Sequence, residues 1–226
     1  MLQNVTLPKA QLVVTENWLT RKPNPNAIIV TLISILIVVL GSYFHWNNLY
    51  GVTDLMPANP HTVFIKHQYW RAWTSLFVHG DFKHLGSNLF LFGILGYFLA
   101  GYFNLLFFPL TAFFIGGLTN LIVLSHMSPH TSLIGLSGVV YWMGGAWLVL
   151  YFFIENRRSI WQKAIRSIGV ALLLFMPSEA FDPSISYDSH FVGFILGIFA
   201  GIIFYILNRT ELRSADVSLI SFEPPE

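Results

Sequence analysis

Cysteine is absent from this chain of 226 residues, and charged side chains are scarce. Without a thiol, the chain has no disulfide, no thiolate metal ligand and no cysteine nucleophile. Only 10% of the residues are Asp, Glu, Lys or Arg, whereas about 25% is usual for a soluble domain. The formal net charge is +1, so the chain lacks the excess of basic residues that binding to nucleic acid requires.

Hydrophobic residues, by contrast, make up 54% of the chain and are grouped in long runs. A helix needs about 20 residues to cross roughly 30 Å of hydrocarbon. The runs therefore predict an all-α membrane protein with six transmembrane helices, at residues 27–44, 84–103, 107–124, 137–154, 164–180 and 190–207. Pro177 and Glu179 interrupt the end of the fifth span.

The six spans divide the chain into a core at residues 27–207 and two polar tails, 1–26 and 208–226. Most of the Lys and Arg residues fall in the tails and in the loops that share a side with them, which predicts that both termini lie in the cytoplasm. The first tail also lacks the apolar segment of a cleavable signal peptide. We expect a multi-pass protein of a bacterial inner membrane, with tails too short to fold as domains and no strands.

The connection between the first two spans, residues 45–83, is unusually long. It mixes Tyr69 and Trp70 with Lys66 and Arg71, a combination typical of segments at the membrane interface. We expect this loop to be partly immersed in the outer leaflet, so that membrane lipids are among its partners. A plain extracellular loop is the alternative.

Polar side chains inside apolar spans are costly and often mark a functional site. Four of them lie near the outer ends of their predicted helices: His84, Asn88, Ser137 and His190. His190 is followed by Gly193 and Gly197, which form a stripe of small residues on the same helix face and allow a neighbouring helix to approach closely. Each feature also has an ordinary structural explanation, such as a back-bonded serine, an interhelical hydrogen bond or simple packing.

Three motifs occur in order along the predicted spans: HGDFKHLGSN at 79–88, GLSGVVY at 135–141 and SHFVGFILG at 189–197. Together they resemble the rhomboid intramembrane serine proteases, and the resemblance covers the six-helix core. It implies the rhomboid bundle with a long first loop. The Trp-Arg pair at 70–71 fits the first-loop element of the family, whereas Ser189 stands where members often have alanine.

The resemblance implies a reaction for the four polar residues. Ser137 would be the nucleophile and His190 its general base, without a third catalytic residue. The side chains of His84 and Asn88 and the backbone N–H of Ser137 would form the oxyanion hole. The expected substrates are single-pass transmembrane proteins whose helices unwind near small or helix-breaking residues. Neither a cofactor nor a metal is expected.

Five further residues are expected to support the site: Tyr141, Gly135, Gly138, Gly193 and Gly197. The tyrosine would stack on the histidine ring and replace the orienting acid of a triad. The first two glycines would keep bulk away from the serine, and the other two would hold the helices together. His79 and Arg71 are assigned to loop structure. Residues 181–189 would cap a water-filled cavity open to the outer side and act with the fifth helix as a gate.

Other readings fit less well. A catalytically inactive rhomboid-like protein that binds membrane clients is the main alternative, but such relatives typically lack the serine or the histidine. His126 and His130 have the spacing of a zinc protease, yet the glutamate is missing and Pro129 lies between them. The hydrolase elbow Gly-x-Ser-x-Gly fails because residue 139 is Val. A transporter or channel should show paired halves with broken helices or buried carboxylates, and none is apparent in the sequence.

Overall fold

Helices dominate residues 10–175 and 186–222, which the computed structural model describes. In chain order the elements are β1 (Ala10–Glu16), α1 (Ala27–Trp46), α2 (Phe82–Tyr102), α3 (Ala112–Leu124), α4 (Ser137–Ile154), α5 (Ile160–Phe175), α6 (Tyr187–Arg213) and β2 (Val217–Phe222). Five helical segments of the described chain are long and apolar enough to cross a membrane: Ala27–Trp46, Phe82–Tyr102, Leu106–Leu124, Ser137–Ile154 and Tyr187–Arg213. The predicted helical membrane fold is therefore confirmed.

The bounds of the predicted spans need some correction. The fourth span has the predicted bounds, but α6 continues beyond 207 to Arg213, where Leu212 is still buried. The third span opens with a π-helical segment, Leu106–Thr111, and bends at Phe108. Pro109 explains the bend, because proline has no N–H to donate to the preceding turn.

Helices α4 and α6 are the most closely packed pair, and they run parallel. Each glycine of α6 faces a backbone carbonyl of α4: Gly193 faces Gly138, Gly197 faces Trp142 and Gly201 faces Ala146. A side chain on the first two glycines would collide with those carbonyls, so the small-residue stripe lets the two backbones touch. Because parallel helices need a connection that returns along the bundle, the chain between Ile154 and Tyr187 must cross its length.

Helix α5 begins this return. It starts beside the end of α4, where Lys163 Nζ donates to the carbonyl of Phe152 (3.0 Å). The predicted fifth span, 164–180, is described only as far as Phe175, so Pro177 and Glu179 lie outside the described residues. The crossing of the membrane by this fifth predicted span therefore remains a prediction.

The two tails pair with each other, and the expectation of no strands was wrong. Strands β1 and β2 form an antiparallel sheet in which Leu12 lies opposite Ile220. Both segments are rich in β-branched and other apolar residues, a composition that favours strands. The pairing places both ends of the described chain at one end of the bundle, which we call the tail end.

A buried carboxylate joins the first tail to α4 at the tail end. Glu155 is 2% exposed, and its Oε1 accepts a hydrogen bond from Asn17 Nδ2 (2.9 Å). Arg157 holds both carboxylate oxygens, with Nε–Oε1 at 3.0 Å and Nη2–Oε2 at 2.6 Å. Nearby, Trp18 Nε1 donates to the carbonyl of Tyr102 at the end of α2 (2.6 Å). These bonds anchor the first tail to two helices.

Replacing Glu155 with glutamine should lower the free energy of unfolding at pH 7 by about 1–3 kcal/mol, because a buried group would lose its charge-assisted bonds while the partly exposed Arg157 regains water. Burial opposes ionisation of Glu155, but Arg157 outweighs it and holds the pKa of this carboxyl below its ordinary value. A lowered pKa contributes stability that is lost as the pH falls through it. The difference in thermal unfolding midpoint between wild type and Glu155→Gln should therefore shrink below a pH of about 4.

The matched control is Glu211→Gln, which changes an exposed carboxylate of α6. It should alter stability by no more than about 0.5 kcal/mol. If Glu155→Gln unfolded like this control at pH 7, the buried carboxylate would not anchor the tail.

The long first loop is built of short helical segments: Leu49–Gly51, Val52–Leu55, His61–Ile65, Arg71–Thr74 and Ser75–Phe77. Arg71 binds the segments together, as its guanidinium donates to the carbonyl of Asp54 (2.6 Å) and to Gln68 Oε1 (2.6 Å). Its assignment to loop structure is confirmed. Tyr69 and Trp70 lie exposed beside it, and their immersion in the outer leaflet remains a prediction.

Candidate active site

The first turns of α4 and α6 meet at the end of the bundle opposite the sheet. Ser137 is the first residue of α4 and is half-buried, and His190 lies in the first turn of α6. The residues next to them are in contact, because a side-chain atom on Gly138 would lie 3.6 Å from the carbonyl oxygen of Ser189. The structure therefore brings the two helix starts that carry the predicted dyad side by side.

The imidazole of His190 contacts two aromatic rings. Tyr141, one turn beyond Ser137, stacks on it with ring centroids 4.0 Å apart and an angle of 9° between the planes. Tyr187 meets the imidazole edge-on at 6.0 Å. The stacking expected of Tyr141 is present, and it restricts rotation of the imidazole.

The start of α6 is capped by serines. Ser186 Oγ lies 2.9 Å from Ser189 Oγ and accepts a hydrogen bond from the backbone N–H of Ser189. This cap fixes the first helical turn, which also carries His190. Ser189, the position where the family often has alanine, therefore has a local structural role.

Gly135 allows His84 to approach residues 125–136, the connection before Ser137 that we call the serine loop. It has a positive φ of 110°, and a side-chain atom on it would lie 2.8 Å from the imidazole of His84. Only glycine tolerates both the backbone conformation and the close contact. The ring of His84 thus lies against the residue two positions before Ser137.

The start of α2 presents His84 and Asn88. Asp81 caps the helix by accepting a hydrogen bond from the backbone N–H of His84 (2.8 Å), and this bond lowers the pKa of Asp81. Asn88 is 7% exposed, and its Nδ2 donates to the carbonyl of His84 (2.9 Å). An amide nitrogen has two N–H groups, so the second can serve an oxyanion.

Two residues outside the predicted site hold the backbone before Ser137. The N–H of Gly135 donates to the carbonyl of Ser75 (2.9 Å), and the N–H of Leu136 donates to His79 Nε2 (3.2 Å). Asn120 in turn bonds Ser75 Oγ (3.1 Å). The sequence analysis missed Asn120, although a buried asparagine within a membrane span is itself a signal of function.

His79 is fully buried between α1 and the serine loop. Burial, reinforced by the neighbouring imidazole of His84, lowers the pKa of His79 to about 3. The ring therefore stays neutral over the physiological pH range, with one nitrogen as donor and the other as acceptor.

The polar approach to the site is exposed. Ser128, His130 and Ser132 lie exposed in the loop before Gly135, and the water-filled cavity on the outer side remains a prediction. Of the expected cap, 181–189, residues 181–185 lie outside the described residues.

The two histidines of the metalloprotease alternative have other neighbours. His126 Nδ1 lies 2.9 Å from Ser125 Oγ, and the ring of His130 lies 5.6 Å from that of His61. Among residues 10–175 and 186–222, no three His, Asp or Glu side chains are grouped to hold a metal ion.

Comparison with known protein families matches residues 66–207 to the Rhomboid domain. A search for similar curated proteins found no match. The matched segment includes all three motifs and covers well over half of the chain. The chain therefore belongs to the rhomboid family, whose members are generally intramembrane serine proteases, and it is an integral multi-pass membrane protein.

Proposed function

We propose that this protein is an intramembrane serine endopeptidase that cleaves the transmembrane segments of single-pass membrane proteins. The observation that carries the proposal is the packing of the first turns of α4 and α6, with His190 stacked on Tyr141 one turn from Ser137. A serine and an imidazole on adjoining helix starts are the two groups that acyl transfer needs.

In the proposed reaction, Ser137 Oγ attacks the scissile carbonyl and its proton passes to His190. The resulting oxyanion is bound by the side chains of His84 and Asn88 and by the backbone N–H of Ser137. His190 then gives the proton to the leaving amine, and an ester to Ser137 remains. Water activated by His190 hydrolyses this ester, which releases the acid and restores the serine.

The proposed site needs water and an unwound substrate. Half-buried Ser137 and the exposed polar loop before it support a cavity that opens to the outer side. A peptide bond within an intact helix is closed to attack, so the substrate helix must unwind at the site. We place the protein in a bacterial inner membrane, with the paired tails in the cytoplasm and the site near the outer face.

The test is cleavage of a panel of single-pass transmembrane segments by the full-length protein in liposomes. We expect wild type to cleave at least one segment that contains small or helix-breaking residues, and Ser137→Ala to cleave none. Binding of segments without cleavage by wild type would instead support the inactive rhomboid-like alternative. Loss of cleavage with a chelator and recovery with zinc would overturn the serine mechanism.

Replacing Asn88 with alanine should lower kcat about 10²- to 10³-fold, the usual effect of removing one oxyanion donor. KM should change little, because the donor binds charge that develops only in the transition state. The measurement is steady-state cleavage of the best segment of the panel, beside the thermal unfolding midpoint of each variant.

The matched control is Asn156→Ala, which removes an amide at the tail end that donates to Asp216 (2.9 Å). It should leave kcat unchanged. Unchanged turnover in Asn88→Ala would remove this residue from the oxyanion hole.

A further inference from the structure

The imidazole of His79 lies where three parts of the fold meet. Its Nδ1 is 3.0 Å from Ser42 Oγ on α1, and its Nε2 accepts the N–H of Leu136 (3.2 Å). Its ring also meets the ring of His84 edge-on, with centroids 4.9 Å apart. His79 thus contacts both the residue before the proposed nucleophile and a proposed oxyanion donor.

The hydrogen bonds determine which nitrogen of His79 carries the proton. The backbone N–H of Leu136 can only donate, so Nε2 must be the acceptor and Nδ1 must bear the hydrogen. Ser42 Oγ can accept that hydrogen while its own hydroxyl donates to the carbonyl of Phe77 (3.3 Å). All three groups are then satisfied, which buried polar groups require.

The backbone of His79 is anchored as well. Its carbonyl accepts a hydrogen bond from Trp46 Nε1 on α1 (2.8 Å). The backbone and the ring of His79 are therefore both hydrogen-bonded to α1. The ring in turn contacts Leu136 and His84, so it links these two residues to α1. Loss of the Nε2 acceptor would leave a buried N–H without a partner directly before Ser137.

We infer that His79 is a positioning residue for the reaction, whose Nε2 fixes the Leu136 backbone and thereby the attack geometry of Ser137. This inference rests on the proposed function. His79 Nε2 bonds the backbone of Leu136 and its ring meets that of His84, so it acts through the serine loop and through the ring of His84. A displacement of about 1 Å at a reacting atom can lower a rate about 10²-fold.

Two substitutions separate this role from general stability. In His79→Gln the side-chain amide oxygen can reach the place of Nε2 and accept from Leu136. In His79→Asn the shorter amide can occupy only the place of Nδ1 and bond Ser42. Each variant keeps one of the two hydrogen bonds and loses the ring, so the two should be destabilised alike.

The experiment measures three quantities for the full-length protein in detergent: the thermal unfolding midpoint, the rate of labelling by a fluorophosphonate probe, and kcat and KM on a cleaved segment. His79→Asn should be labelled about 10²-fold more slowly than wild type with a corresponding loss in kcat and little change in KM. His79→Gln should be labelled at least about tenfold faster than His79→Asn, with a corresponding gain in kcat. Rates are compared per folded molecule.

Equal rates in the two folded variants would overturn the inference, since a purely structural role affects both alike. If His79→Asn does not fold, the labelling rate of folded His79→Gln is the test. A rate within about tenfold of wild type supports the inference, and a rate about 10²-fold below wild type overturns it. Failure of the proposed function has a different signature, because wild type would then not be labelled, or Ser137→Ala would be labelled as fast as wild type.

Discussion

Replacement of Ser137 with alanine is expected to abolish both fluorophosphonate labelling and peptide-bond cleavage. The alanine has no oxygen to attack the carbonyl, and His190 then has no proton to accept. In serine proteases such a loss lowers kcat by about 10⁶-fold. The effect on folding should be small, because Ser137 is only half-buried at the first turn of α4.

The measurement is covalent labelling of purified wild type and variant in detergent, with mass spectrometry to locate the label. Ser221→Ala is the matched control, since it removes an exposed hydroxyl of β2 at the far end of the bundle. The control should be labelled like wild type. Labelling of Ser137→Ala at the wild-type rate would end the assignment of Ser137 as nucleophile.

Replacement of Gly197 with valine is expected to damage both stability and activity. A side chain at this position collides with the carbonyl of Trp142, and a helix backbone cannot move aside as a flexible side chain can. Overpacking of this kind costs about 1–3 kcal/mol or more. Because α4 carries Ser137 and α6 carries His190, the forced separation should also lower kcat about 10²-fold.

The matched control is Gly169→Val on α5, where an added Cβ has no atom of the described residues within 4 Å apart from its own helix backbone. Thermal unfolding and cleavage should both resemble wild type in this variant. If Gly197→Val behaved like Gly169→Val, the contact between α4 and α6 would not maintain the site.

Much of the helical core could be predicted, because hydrocarbon requires long apolar helices whose backbone bonds are satisfied internally. The bounds of α4 are those that the apolar run indicates, and the stripe at Gly193 and Gly197 does pack against a neighbouring helix. The strands of the tails were missed, although their β-branched residues were visible in the sequence. Outside hydrocarbon, short segments form strands only when a partner is available, and here each tail is the partner of the other.

The residues of the candidate site also differ in how clearly the sequence reveals them. Ser137, His190, His84 and Asn88 stand out in the sequence because polar groups are rare in apolar spans. His79 opens the motif at 79–88 but was assigned only to loop structure, and Glu155 does not stand out, since it falls in a polar connection where such residues are common. Their importance comes from burial and from partners far along the chain, Leu136 for the histidine and Asn17 for the glutamate.

The sequence by itself determined that this protein is a helical membrane protein of rhomboid type, because the hydrophobic effect acts on local runs of residues and each motif is one short continuous stretch of the chain. Only the tertiary structure decided which helices touch, which imidazole is buried neutral, and how the serine loop is held. Those outcomes depend on contacts between residues distant in the chain, and no local pattern encodes such contacts.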